Sequence, residues 1–286
     1  MRRWRYEDAE KPWEADEVLW KYEKQILRSA SLDIARDRQD DKHLRPARAL
    51  DLGMGYGRNA LWLAERGYEV EGWEMDGRYV AEARWEARRR GLPLRVRRGD
   101  FGGLEWARGG RKYDAIVISQ ALHQLKRSEA LKVLRRAKKA LRSPLRQGSR
   151  LRQGSRLRQG FPRRCSGQVG GQGGGQGGGQ AGGRLFLLAK LTKDKHFRRV
   201  ARSTEWRRVP GEKNTFARAE PRGRREFHPG RRRRRWTLLS ALTREEIRRA
   251  LRGLRLVHYR EVVLRSDWEE NAVVTHTVAE VVAVKT

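Results

Sequence analysis

The sequence predicts a doubly wound α/β domain, a mostly parallel sheet closed by a C-terminal antiparallel hairpin, and three observations carry that prediction. An apolar run enters an acid and then a turn with glycine at alternate positions, Ala49-Leu50-Asp51-Leu52-Gly53-Met54-Gly55-Tyr56-Gly57-Arg58-Asn59. A second such run, Tyr68-Glu69-Val70-Glu71-Gly72-Trp73-Glu74, ends in another acid 23 residues after Asp51. A third, Lys112-Tyr113-Asp114-Ala115-Ile116-Val117-Ile118-Ser119, is rich in β-branched residues and continuous enough to be buried on both faces, as parallel strands are.

Taken in order, residues 12–28 place Val18, Leu19, Tyr22, Ile26 and Leu27 at helical spacing, which predicts an N-terminal helix within a helical cap over 1–46. Residues 47–143 follow as the first half of the α/β domain. In the turn after the first strand, Gly53, Gly55 and Gly57 permit positive φ and remove side chains, so that backbone can lie against a ligand while the next helix starts close to the sheet. At the carboxyl end of the second strand, Glu74 is placed to accept hydrogen bonds from a ribose diol, which points to an adenosine-like ligand. Leu94-Arg95-Val96-Arg97-Arg98-Gly99-Asp100-Phe101 reads as a third short strand. Ser128 is the expected cap of a helix that reaches about Leu141 and is stopped by Pro144.

Beyond that helix the pattern collapses. Leu145-Arg146-Gln147-Gly148-Ser149-Arg150 repeats at 151–156 and begins again at 157, and 167–183 is almost entirely Gly and Gln. Such sequence cannot bury enough apolar surface to offset its ordering entropy, so 144–183 is expected to be a disordered insertion. Residues 184–286 are the second half of the domain, opening on a fifth strand over 183–190. A basic loop is expected over 193–235, beyond the carboxyl end of the fifth strand, where an open α/β sheet meets its ligands. Thr243-Arg244-Glu245-Glu246 is a capping box that opens a helix to about Leu251. Two final strands are expected over 256–264 and 272–284, joined by the charged turn Ser266-Asp267-Trp268-Glu269-Glu270.

The Gly-x-Gly-x-Gly spacing, with Asp51 two residues ahead of the first glycine and Glu74 after the second strand, resembles motif I of the class I S-adenosylmethionine-dependent methyltransferases. Tyr113-Asp114 resembles their motif II. The resemblance implies a seven-stranded Rossmann-like sheet whose last two strands are the C-terminal hairpin. It also implies S-adenosyl-L-methionine as cofactor, with Gly53, Gly55 and Gly57 against its methionine portion, Asp51 near its amino group and Glu74 on its ribose. Asp100 would reach the adenine amino group, with Phe101 beside the ring, and the basic loop over 193–235 would be an acceptor-side loop. Within the family, Gly57-Arg58-Asn59-Ala60-Leu61-Trp62-Leu63-Ala64 with Gly67-Tyr68-Glu69-Val70 is most similar to the tellurite-resistance and thiopurine type, which acts on small molecules.

Methyl transfer needs a base only where the nucleophile must lose a proton, and a soft nucleophile such as sulfur, selenium or tellurium needs none. His123, just after the fourth strand, is the candidate catalytic residue. His196, His228 and His276 are more distant candidates. The chain has no Asn/Asp-Pro-Pro-aromatic tetrapeptide after the fourth strand, where Ser119-Gln120-Ala121-Leu122 stands, no core cysteine nucleophile and no acid ending that strand. These absences weaken adenine-amino, cytosine-carbon and ribose methylation respectively.

The single cysteine, Cys165, excludes an internal disulfide and a cysteine-based zinc cluster, and no metal site is expected. No run of eighteen apolar residues and no signal-peptide core is present, which predicts a cytoplasmic protein with no membrane partner. Of the formal charge of +32, residues 145–235 supply +21, with 26 Lys and Arg against 5 Asp and Glu. The sequence therefore reads as an S-adenosylmethionine-dependent methyltransferase of a small-molecule acceptor. RNA or another polyanion, held through 145–235, is the alternative partner.

Overall fold

The structure, a computed structural model of the chain, describes Leu19, Lys21 and residues 46–144, 182–219, 236–269 and 272–286. Strands β1 (Arg48–Leu52), β2 (Glu69–Glu74), β3 (Leu94–Arg98), β4 (Ala115–Ser119), β5 (Arg184–Lys190), β9 (Leu254–Glu269) and β10 (Ala272–Lys285) form one seven-stranded sheet. Their order is β3-β2-β1-β4-β5-β10-β9, and the first five run parallel. Strand β10 inserts antiparallel between β5 and β9, so the last two strands are the expected hairpin, although β9 runs on to Glu269 and Ser266–Glu269 belong to the strand rather than to the expected turn. The strand order reverses between β1 and β4, the kind of switch point where open α/β sheets hold ligands beyond the strands' carboxyl ends.

Alternation along each strand explains why helices cover both faces. Leu50, Leu52, Ile116, Ile118, Leu185 and Leu187 point to one side, where they meet helices α3 (Arg127–Ala140) and α5 (Arg244–Ala250) through Val133, Leu134, Ala137 and Ile247. The intervening Ala49, Ala115, Val117, Phe186 and Leu188 point to the other, against Leu63, Val80 and Ala83 of helices α1 (Arg58–Glu65) and α2 (Gly77–Arg89). Leu19 is buried in this second cluster. The remainder of the helix expected over 12–28, apart from Lys21, lies outside the described residues, as do residues 145–181 of the disordered insertion expected over 144–183, Cys165 and His228.

Several expectations change in detail. Strand β4 begins at Ala115 rather than Lys112, because Tyr113 makes a single bridge to Leu141 and the Asp114 carboxylate accepts from Arg48 N and the Arg142 guanidinium. Ser128 does not cap α3. Glu129 closes the helix start by accepting from Lys126 N (3.0 Å), while the Ser128 hydroxyl donates to Glu212. The basic stretch after β5 is not a plain loop. Its described part holds helix α4 (Lys195–Arg202) and strands β6 (Arg207–Arg208) and β7 (Thr215–Ala219), and with β8 (Trp236–Ser240) these strands make a small antiparallel sheet. Phe197, Val200, Phe216 and Leu239 form its core. No helix among the described residues is long and apolar enough to cross a membrane.

Candidate cofactor and acceptor site

The glycine turn is latched to the end of β2 by backbone and side chain together. Gly53 N and Met54 N both donate to Trp73 O (2.9 and 3.1 Å), and Gly55 N donates to Glu74 Oε2 (3.0 Å). The other carboxylate oxygen of Glu74 accepts from Met75 N (2.7 Å) and Asp76 N (2.8 Å). A carboxylate offers about four acceptor positions, so Glu74 holds the turn and retains capacity for a further donor. Gly53, with φ +69°, has no room for a side chain, because a Cβ would collide with Ala121 Cβ and lie 3.2 Å from Phe101 Cε1. Gly55, with φ +56°, is the opposite case, since nothing lies within 4 Å of the position its Cβ would take. Backbone at Gly55 thus faces open space beside the partly exposed Glu74, while Asp51 on β1 is buried.

The third strand end joins the same edge. Gly99 N donates to Glu74 O (2.9 Å), placing Asp100 next to the end of β2, where it is exposed and its Oδ1 accepts from Gly102 N (2.8 Å). Phe101 is buried, with its Cε1 3.2 Å from where a Cβ on Gly53 would lie, and its carbonyl accepts from Trp106 Nε1 (2.8 Å). The structure therefore brings Asp51, Gly53, Gly55, Gly57, Glu74 and Asp100 to one edge of the sheet, with Phe101 packed beside Gly53.

Sequence reasoning did not single out Tyr56 and Tyr79. The first lies inside the glycine turn and the second in the first turn of α2, with ring centroids 4.2 Å apart. Burial, and then the mutual contact, pushes the Tyr56 phenol well above its ordinary value. The spacing Asp76-Gly77-Arg78-Tyr79 after Glu74, with Asp76 capping the helix through Arg78 N (2.9 Å), is the local signal that could have found the pair.

After β4 the chain turns sharply. Gln120 adopts φ +47°, uncommon for a residue with a side chain, and its N–H donates to Leu188 O (2.9 Å). The turn then places Ala121 against Gly53 and His123 in a short 3-10 segment, Leu122–Gln124. His123 is partly exposed as a residue, but its Nδ1 is buried with no hydrogen-bond partner among the described residues. Burial, then Lys190, His276 and His196, push its pKa down from 6.5 to about 3. The ring is thus neutral near pH 7. Lys190 and Asp194 are further residues that local sequence patterns did not reveal. Among the described residues no group of three or more His, Cys, Asp or Glu is arranged to hold a metal ion.

The sheet order and the latched glycine turn define the Rossmann-like fold of the class I S-adenosylmethionine-dependent methyltransferases, and comparison with known proteins agrees. A methyltransferase-domain family matches residues 49–144. Among solved structures, TehB from Haemophilus influenzae is similar at 15% identity and a TM-score of 0.51 over 95% of this chain, which spans 66% of that protein's length. An S-adenosylmethionine-dependent methyltransferase from Methanosarcina mazei is similar at 16% identity and a TM-score of 0.51, over 85% of this chain and 94% of the other. At these identities the likeness is one of fold. A search of the curated proteins finds no match.

Proposed function

We propose that the protein is an S-adenosylmethionine-dependent methyltransferase acting on a small-molecule acceptor. The observation that carries this reading is the glycine turn, open at Gly55 and held by Glu74 at the carboxyl edge of the parallel strands. These residues fit the cofactor. The turn's backbone can approach it where a Cβ would intrude, Glu74 has acceptor capacity for a ribose hydroxyl, Asp51 is the acid for its amino group and Asp100 is exposed for the adenine amino group. Bound there, the sulfonium supplies an electrophilic methyl group that passes in line to an acceptor lone pair while the breaking C–S bond returns its electrons to sulfur.

The chain's own contribution is positioning. Ala121 joins the cofactor turn to the acceptor side, and His123 stands two residues beyond it. A neutral imidazole with so low a pKa offers a hydrogen bond rather than storage for a proton. This suits an acceptor that needs no strong base, as a soft nucleophile does not. The resemblance of Gly57–Ala64 to the tellurite-resistance and thiopurine type supports the same small-molecule reading.

Calorimetric titration of S-adenosylmethionine and its demethylated product, alongside Glu74→Ala, tests the proposal. We expect micromolar binding that weakens about tenfold or more in the variant, about 1.4 kcal/mol. No binding of either compound by the folded protein overturns the reading.

A further inference from the structure

Four basic residues from four separate elements lie at the carboxyl-end side of β4 and β5. His123 comes from the turn after β4, Lys190 is the last residue of β5, His196 lies in the first turn of α4, and His276 lies on β10 opposite Leu264. The His196 and His276 rings meet edge to face with centroids 5.7 Å apart. His276 Nδ1 is 4.0 Å from Asp194 Oδ2, and Lys190 is buried. Asp194 is fully buried, and its carboxylate accepts from Phe197 N (2.8 Å) at the start of α4 and from Thr277 N on β10. That acid thus serves the framework.

Two features of the cluster point to a ligand. Lys190 sets a buried basic side chain in the cluster, and burial first and then Lys190 disfavour a proton on His123. The buried His123 Nδ1 has no hydrogen-bond partner among the described residues, and a buried polar atom of this kind is destabilising until a partner arrives. A neutral imidazole carries one N–H, and the Nδ1–H tautomer is the one an anionic oxygen would select.

We propose that His123, Lys190, His196 and His276 form a docking site for an anionic oxygen group, a carboxylate or a phosphate, on the methyl acceptor. The word acceptor rests on the methyltransferase reading; the anion site itself does not. Ala121, in contact with Gly53 two residues before His123, places this group beside the cofactor turn, so the anion orients the acceptor while a separate atom of it receives the methyl group.

Sodium acetate and inorganic phosphate are the probes, titrated into the full-length protein while the imidazole NMR signals of its six histidines are followed, with chloride at matched ionic strength as reference. Histidine-to-glutamine variants assign the signals. The expected result is saturable movement of the His123, His196 and His276 signals by one of the two anions, identifying the group, with affinity about tenfold weaker in Lys190→Met. Should Lys190→Met fail to fold, as judged by circular dichroism, His196→Gln at a partly exposed position gives the same comparison. Movement no greater than with chloride, or affinity unchanged in the folded variants, overturns the proposal. Titration of the demethylated cofactor product in the same samples separates the two readings. Cofactor binding without anion binding removes this site alone, and anion binding without cofactor binding removes the methyltransferase reading and leaves the site.

Discussion

At Gly53 and Gly55 the same substitution should have two different consequences, because the two positions face different surroundings. Both have positive φ, so alanine at either costs about 1–2 kcal/mol in backbone strain. At Gly53 the new methyl group would also collide with Ala121 Cβ and press on Phe101, an overpacking that adds about 1–3 kcal/mol. At Gly55 it would meet nothing of the protein. Gly53→Ala should therefore lower the melting temperature the more, whereas Gly55→Ala should lose cofactor affinity out of proportion to its loss of stability. Thermal melts and calorimetry on the pair check this, and equal stability losses with equal affinities would contradict the assignment of Gly55 to the ligand's side. His123 gives a second residue-level prediction. Its folded pKa is pushed down to about 3 from 6.5, so between those values the unfolded chain binds a proton that the folded chain does not. Stability must then fall as pH is lowered through that window, and His123→Asn should remove this contribution. Urea unfolding at pH 7 and pH 5 reads it directly: the variant should lose less on acidification than the parent.

Two helix starts show how far an element's role departs from its local sequence. Thr243 caps α5 with its hydroxyl accepting from Glu246 N (3.2 Å), and Glu246 accepts in return from Thr243 N (2.9 Å). This is a local device, and Thr243→Ala should cost about 1 kcal/mol. Asp194 also caps a helix, but its second oxygen takes Thr277 N from β10, so Asp194→Ala strands a part-buried N–H as well and should cost about 2–4 kcal/mol. Chemical denaturation of the two variants tests the ranking. The same contrast explains what could be read from the sequence. The glycine turn, Glu74 and the Thr243 box were legible because each is specified by residues a few positions apart or by one strand-helix-strand unit. The continuous run Ala115-Ile116-Val117-Ile118 likewise showed a strand buried on two faces. Ser128 misled because its hydroxyl is engaged by Glu212, a residue 84 positions away. Lys190 and Asp194 carried no local signal, since their meaning depends on β10 arriving between β5 and β9. The small sheet was hidden because the inward residues Phe197, Phe216 and Leu239 are spaced among arginines that mask any apolar period.

For the molecule as a whole, the decisive question is whether the repetitive segment over 145–181 belongs to the machine or is carried by it. Its two attachment points are fixed and adjacent. Gly183 N donates to Arg142 O (2.8 Å), Arg142 N donates to Tyr113 O (2.9 Å), and a Cβ on Gly182 would lie 3.0 Å from Pro144 Cδ. The chain thus leaves the sheet and rejoins it at nearly the same place, between α3 and β5. Loop-closure entropy grows only logarithmically with length, each doubling costing about 0.6 kcal/mol, so replacing 145–181 by a short turn should leave stability equal or slightly higher. The attachment points sit beside Lys285 and Tyr113, at the end of β4 opposite the glycine turn, so cofactor affinity should be unchanged. The segment carries seven arginines and no acids, and their removal should lower affinity for RNA and flatten its dependence on salt. Melting, cofactor calorimetry and RNA titration at two salt concentrations on the shortened protein therefore separate the roles. Retained cofactor binding with weakened RNA affinity places polyanion attraction in the segment and small-molecule chemistry in the sheet. If cofactor affinity collapses together with RNA affinity while the fold persists, the segment reaches the site, and the RNA-associated alternative gains the ground that the small-molecule reading loses.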